Sequence, residues 1–247
     1  MAVRAIQHEE THKYEGGRGY FVPNEGTAKW AEILKGITVQ RAAAICSSGE
    51  VGLLSILPRV TKELVLFDHG KGSLSIAMAK YLLLSKLTPT EMLELFTTGS
   101  ADQFRAAVES VRKYVPYNGR YDRLSTLPYR SSEIRSEWRG VTLANVASVK
   151  RRLARVKFMH GDLTDLIPSG PYDLLYISNA HEHPDRTGAT PDMSKLTKIV
   201  KPGGNVLVAE KPYHELGSRL PKTWTCVKQL SGCGSMYWTQ TLYTTPA

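Results

Sequence analysis

The chain has 247 residues, of which 42% are hydrophobic, and its net charge is +9, which fits one large domain or a core domain with a cap. Its three cysteines, Cys46, Cys226 and Cys233, show no Cys-x-x-Cys spacing, so we expect a reducing cytoplasm rather than a disulfide framework. The first residues lack the apolar core of a signal peptide, and no apolar run reaches the roughly 18 residues that span a membrane, so no membrane partner is expected.

The first part of the chain predicts a helical N-terminal cap over residues 1–40. Asn24 is a candidate N-cap for a helix in which Trp30 and Ile33 share one apolar face. We expect an α/β domain over residues 41–247.

Four short apolar runs predict strands, at residues 42–49, 64–68, 156–162 and 172–179. Each run is followed by small, polar or acidic residues. Because ligands of an open α/β sheet bind outside the carboxyl ends of its strands, these residues predict a ligand site.

The ends of the first two runs carry candidate ligand-binding residues. Small residues, Ser48 and Gly49 among them, let the backbone approach a ligand and let N–H groups bind a carboxylate. Asp68, roughly 20 residues further on, suits a ribose diol. An ordinary strand-to-helix turn and a helix N-cap are the alternatives for these two segments.

The ends of the third and fourth runs add polar candidates. Asp162 can accept the amine of an adenine ring, with Leu163 beside the ring, or it can be a capping carboxylate. In a strand, Tyr176 and Ser178 share one face, and Asn179 begins the following loop. The alternative for this segment is a core tyrosine and a loop asparagine.

The remaining pattern predicts helices between strands and a β-rich end. One helix is expected over residues 73–85, and a helical insert serving as a lid over the strand ends is expected over about 86–155. Further elements are a helix near 193–199, a strand at 205–210 and two closing strands near 223–227 and 236–243. The pattern predicts an α/β, Rossmann-like sheet, mostly parallel, with an antiparallel terminal strand.

Two further segments invite other functions. The basic run at 150–157 ends a predicted helix, where cations complement the helix dipole, and no aromatic residues interleave to stack bases, so no nucleic-acid partner is expected. His181, His183 and Asp185 could ligate a metal, but no distant Cys/His pair completes a site, so we expect a solvated loop and no metal.

The order and spacing of these strand ends resemble the class I S-adenosylmethionine-dependent methyltransferase fold. Ser47 and Ser48 stand where that family usually has the first glycines of its motif, and Asn179 is not followed by the two prolines of amino-methyltransferases. The Ser-Ser-Gly loop and residues 87–96 resemble a branch of the fold that contains 3-amino-3-carboxypropyl transferases. Within that branch, Tyr176 and Asn179 resemble the corresponding pair of azetidine-2-carboxylate synthases.

The resemblance implies that S-adenosylmethionine is the substrate and is cyclised to azetidine-2-carboxylate and methylthioadenosine, without a metal. It implies catalytic roles for Tyr176 and Asn179, and ligand binding by Ser48, Gly49, Asp68, His69, Asp162, Leu163, Ser178 and Arg139. Aminocarboxypropyl transfer, methylation of a small molecule and a basic RNA-binding module are the alternatives, and the oligomeric state stays open.

Overall fold

A single sheet organises the chain in the computed structural model, which describes residues 5–6, 27–116, 138, 140–178, 193–210, 220–233 and 238–247. The strands are β1 (Ala5–Ile6), β2 (Val39–Ile45), β3 (Val60–Asp68), β4 (Val156–His160), β5 (Tyr172–Ser178), β6 (Val200–Glu210), β7 (Thr225–Cys233) and β8 (Trp238–Thr244). The helices are α1 (Thr27–Ile33), α2 (Lys71–Lys86), α3 (Pro89–Thr97), α4 (Ala101–Arg112), α5 (Leu143–Arg152) and α6 (Leu196–Ile199).

The described strands form one eight-stranded sheet in the order β1-β4-β3-β2-β5-β6-β8-β7. The pairs from β1 to β6 are parallel, whereas β8 runs antiparallel to both β6 and β7. The central strands are apolar on both faces, as expected for parallel strands covered by helices on each side. The predicted mostly parallel α/β sheet with an antiparallel terminal strand is confirmed.

Alternate residues of the central strands pack into two apolar layers, one on each face of the sheet. Leu64 and Leu66 of β3 face the layer that contains Trp30, most of α2 and the buried residues of α3, α4 and α5. Val65 and Phe67 face the second layer, which contains α6. This alternation follows from the two-residue period of a strand.

The predicted cap and insert are described in part. Within residues 1–40, the described elements are β1, α1 and the start of β2. Within residues 86–155 they include α3, α4 and α5, which begin with capping boxes at Thr88, Ser100 and Thr142. Phe96 of α3 stacks on Trp138 at 3.7 Å between ring centroids and meets Phe104 of α4 edge-on at 4.4 Å. That this insert forms a lid over the strand ends stays a prediction.

The sheet order creates a crevice between β2 and β5. From β2 the chain proceeds to β3 and β4 on one side, and then crosses to β5 on the other side of β2. The loops that follow β2 and β5 therefore diverge, which is the topological switch point where ligands of open α/β sheets bind. In the described part of the chain, no helix has both the length and the apolarity to cross a membrane.

Candidate ligand site at the switch point

The loop after β2 has a tight, unusual backbone. Ser47 has φ 46° and Gly49 has φ 93°, and the Gly49 N–H donates to the Cys46 carbonyl at 2.7 Å. A Cβ atom on Gly49 would lie 2.8 Å from the Cβ of Ala77 in α2. Only glycine therefore fits both the backbone conformation and the close approach to α2.

Asp68, the last residue of β3, holds this loop through its carboxylate. Its Oδ2 accepts the Ser47 N–H at 3.0 Å, and its Oδ1 accepts the Gly70 N–H at 2.8 Å. Burial raises the pKa of Asp68, whereas the Gly70 N–H, His69 and the Ser47 N–H partly offset that rise. A further donor, such as a hydroxyl group of a ligand, would stabilise the charged carboxylate.

The end of β4 lies directly beside Asp68. The Gly161 N–H donates to the Asp68 carbonyl at 3.1 Å, and the Asp162 N–H donates to Asp165 Oδ2 at 2.7 Å. The His69 Nδ1 lies 3.9 Å from Asp68 Oδ1 and 4.0 Å from Asp162 Oδ1. The structure thus brings Asp68, His69 and Asp162 together at adjacent strand ends.

Three other candidate residues are partly or fully buried nearby. Leu163 follows Asp162 and packs partly against the second apolar layer. Ser178 ends β5 with φ 51° and is buried. Ser48, in the loop after β2, is also buried.

Tyr176 lies two residues before the end of β5, opposite Ala44 of β2. It is 1% exposed, and its ring meets the ring of Trp30 edge-on at 5.2 Å between centroids. In this structure Tyr176 is therefore a core residue that contacts α1. Asn179 and Arg139 lie outside the described residues, as do Asn24 and the segment with His181, His183 and Asp185.

Sequence reasoning missed a buried ion pair beneath the loop. Lys80 of α2 contacts Glu50 Oε1 and also donates to the Ser48 carbonyl at 2.8 Å. Both charged side chains are only 2% exposed. The sequence did contain a pattern that indicates this pair. Lys80 is the one charged residue within the apolar run of α2, and Glu50 directly follows Gly49.

The described residues suit the binding of a neutral or cationic ligand that donates hydrogen bonds. Carboxylates at the ends of β3 and β4 accept hydroxyl or amine groups. Burial, and next the Asp68 charge, raise the pKa of the Cys46 thiol well above its ordinary value, so Cys46 is unsuited as a nucleophile. Among the residues described, no group of three or more His, Cys, Asp or Glu side chains could hold a metal ion.

Comparison with solved structures identifies the fold. The N-methyltransferase NodS from Bradyrhizobium japonicum WM9, in complex with S-adenosyl-L-homocysteine, matches with a TM-score of 0.52 and 10% identity, over 90% of this chain and 86% of NodS. The O-methyltransferase TomG from Streptomyces achromogenes, in complex with S-adenosylmethionine, matches with a TM-score of 0.41 and 10% identity, over 90% of this chain and 79% of TomG. No protein-family model and no curated protein sequence matches the chain. The chain has the Rossmann-like class I methyltransferase fold, as predicted.

Proposed function

We propose that this chain is an enzyme whose substrate is S-adenosylmethionine, bound at the switch point between β2 and β5. One observation carries the proposal: the Asp68 carboxylate is fixed by two backbone N–H groups at the strand end beside the Ser-Ser-Gly loop. A carboxylate in that position suits the two hydroxyl groups of a ribose. The S-adenosyl-L-homocysteine in the NodS complex supports the same class of ligand.

The other candidate residues have proposed roles around the same ligand. Asp162 accepts the amine of adenine, with Leu163 beside the ring and His69 between the two carboxylates. Ser48 and Gly49 line the path of the amino acid chain, and Ser178 borders it from β5. Arg139 binds the substrate carboxylate as a forked donor.

We propose further that the enzyme cyclises the amino acid chain of its substrate. The lone pair of the α-amine forms a bond to the γ-carbon, while the bond from that carbon to sulfur breaks. The electron pair of the broken bond returns to sulfur, so the products are methylthioadenosine and azetidine-2-carboxylate, with one proton released from the nitrogen. The alignment of amine, γ-carbon and sulfur decides which bond breaks.

The support for this reaction is in the residues at the end of β5 and in α3. The chain has Tyr176 and Asn179 without the prolines of amino-methyltransferases, and residues 87–96 resemble the aminocarboxypropyl transferase branch. Asn179 would accept an amine N–H and aim the lone pair. The face of Tyr176 would steady the sulfonium by about 0.5–2 kcal/mol. Because Tyr176 is 1% exposed, that contact would require the residues that cover its ring, Trp30 among them, to move.

Product analysis tests the reaction. The protein is incubated with S-adenosylmethionine alone, and the products are identified by mass spectrometry. We expect methylthioadenosine and azetidine-2-carboxylate in equal amounts. Methylthioadenosine with homoserine or its lactone would instead indicate hydrolysis or another ring closure, and methylthioadenosine formed only with an added acceptor would indicate aminocarboxypropyl transfer.

Three variants test the roles of Tyr176 and Asn179. Asn179→Ala should lower turnover more than binding, because lone-pair alignment matters mainly in the transition state. Tyr176→Phe should keep much of the activity, since the ring face persists, whereas Tyr176→Ala should lose more. An Asn179→Ala variant with unchanged turnover would contradict the role of that residue.

Methyl transfer to a small molecule is the second candidate, favoured by the likeness of the fold to that of the N-methyltransferase NodS. It predicts S-adenosylhomocysteine as the product, formed only when an acceptor is present. That product in the same mass-spectrometric assay would defeat cyclisation while leaving the proposed substrate intact.

A further inference from the structure

One stripe of α2 faces the loop that follows β2. Ala77 lies against Gly49, as the short distance to a Cβ atom on that glycine indicates, and Lys80, one turn further along, donates to the Ser48 carbonyl at 2.8 Å. Ser73, one turn before Ala77, hydrogen-bonds Asp68. Residues three and four apart share one helix face, so a single side of α2 contacts both the loop and the carboxylate.

The Lys80–Glu50 pair is poorly explained as a stabilising contact. Both side chains are 2% exposed, and the cost of removing two charges from water commonly cancels their attraction. Glu50 Oε2 and Ser48 Oγ are buried without a hydrogen-bond partner in the described structure, so the pair is not embedded in a fully satisfied network. What the pair does achieve is to attach the Ser48 carbonyl to α2.

The same lysine connects the loop to the insert. Its Nζ lies 5.9 Å from the centroid of the Phe104 ring in α4, within the range of a cation–π contact. Phe104 in turn packs on Phe96 of α3. The position of the loop is therefore linked by direct contacts to the helices of residues 86–155.

We propose that Lys80 and Glu50 are positioning residues that hold the Ser47–Gly49 loop against the amino acid chain of the substrate. The inference rests on the proposed function and deepens it. Asp68 and Asp162 serve the adenosine part of the ligand, and the ion pair acts through the loop on the aminocarboxypropyl part. Loss of the pair should therefore weaken the binding of the aminocarboxypropyl part and leave the binding of the adenosine part unchanged.

The test compares two ligands in calorimetry. Methylthioadenosine shares the adenosine of S-adenosylmethionine but lacks the aminocarboxypropyl chain. Lys80→Met alone leaves the Glu50 charge buried and is expected to unfold readily. The double variant Glu50→Gln/Lys80→Met removes both charges and should melt close to the wild type while still lacking the lysine donor.

We expect the double variant to bind S-adenosylmethionine roughly tenfold more weakly, because the loop is no longer held in place before the ligand binds, and methylthioadenosine within about twofold of the wild type. The control is Lys86→Met, the same change at an exposed position of α2, which should alter neither affinity. A purely structural pair would change both affinities alike, because destabilising the fold does not discriminate between the ligands.

Two further outcomes overturn the inference in distinguishable ways. If the wild type binds both ligands and the double variant binds each of them as tightly as the wild type does, the positioning role is wrong and the proposed substrate stands. If the wild type binds neither ligand, the proposed function and the positioning role fail together.

Discussion

Several residues at or just after the strand ends lower the stability of the fold, either because a charged group is buried or because the backbone is strained. Asp68 is a buried carboxylate whose pKa burial raises, and Ser47 and Ser178 hold positive φ values that non-glycine residues seldom adopt. Residues with strained backbone conformations are found most often at ligand-binding and active sites. Asp68 and the residues near it are therefore the first targets for substitution.

We predict that Asp68→Ala weakens the binding of S-adenosylmethionine by about 1–3 kcal/mol, because charge-assisted hydrogen bonds to the ribose are lost. Isothermal calorimetry measures the change. Glu94→Ala, which removes an exposed carboxylate from α3, is the control and should leave the affinity unaltered. Equal affinities of Asp68→Ala and the wild type would refute the role of this carboxylate.

Substituting two glycines, Gly36 and Gly49, distinguishes the effect of backbone strain from the effect of close packing. Gly36 has φ 85° with no atom within 4 Å of a Cβ placed on it, whereas a Cβ on Gly49 would lie 2.8 Å from that of Ala77. We predict that Gly36→Ala lowers the free energy of unfolding by about 1 kcal/mol. Gly49→Ala should cost more, about 2–4 kcal/mol, because strain and overpacking add. Urea denaturation of both variants checks this, and similar losses would mean that Ala77 yields.

At the scale of secondary-structure elements, a different carboxylate connects the central strands at the end of the sheet opposite the candidate site. Asp173, at the start of β5, accepts the Gln40 and Arg41 N–H groups of β2 at 3.0 and 2.8 Å. It also accepts the Lys201 ammonium of β6 at 2.6 Å. One side chain thus ties three neighbouring strands at the end remote from the candidate site.

The stability of this tie should depend on pH. Burial raises the pKa of Asp173, but the Lys201 ammonium and the Arg41 and Gln40 N–H groups outweigh it, so the pKa lies below its ordinary 3.8. The charged carboxylate therefore stabilises the fold above about pH 4, and that contribution is lost as the pH falls through the lowered pKa.

We predict that Asp173→Asn lowers the free energy of unfolding at pH 5.5, and that the gap to the wild type narrows towards pH 3. Urea denaturation at several pH values measures this gap. Glu94→Gln, at an exposed position of α3, should show no comparable gap at pH 5.5. A gap for Asp173→Asn that stays constant from pH 5.5 to pH 3 would mean that the charge of Asp173 does not stabilise the strands.

For the whole molecule, the net charge of +9 is compatible with a nucleic-acid function, but three cations of the basic run at 150–157 make contacts within the fold. Lys150 donates to the Leu87 carbonyl at 2.5 Å, and Arg155 donates to the Val60 carbonyl at 2.6 Å. Lys157 pairs with Glu63. These cations therefore serve the packing of α5 and β4 against β3 and α2.

We predict that the protein does not retard RNA or duplex DNA with sub-micromolar affinity at physiological salt, in a gel-shift assay. Weak retardation at low salt that disappears on adding salt would be ordinary charge attraction and would agree with this expectation. Tight, salt-resistant binding would instead favour an RNA-directed function.

Much of the fold could be predicted from local pattern. The run at residues 64–68 predicted the end of β3, and the helix expected over residues 73–85 is α2, Lys71–Lys86. Apolar runs, capping residues and spacing carry this information because they act over a few neighbouring residues. The prediction of a strand end at Asp68 also followed from an acid placed directly after an apolar run.

The sequence by itself determined that an α/β sheet would place small and acidic residues at neighbouring strand ends, because strand period and chain direction follow from local chemistry. Only the tertiary structure decided which distant side chains meet there. Tyr176 contacts Trp30, and Lys80 contacts Glu50 and the Ser48 carbonyl, across separations that no local pattern encodes. The physical reason is that these contacts depend on how helices pack on a finished sheet, where burial and close approach select partners far apart in the chain.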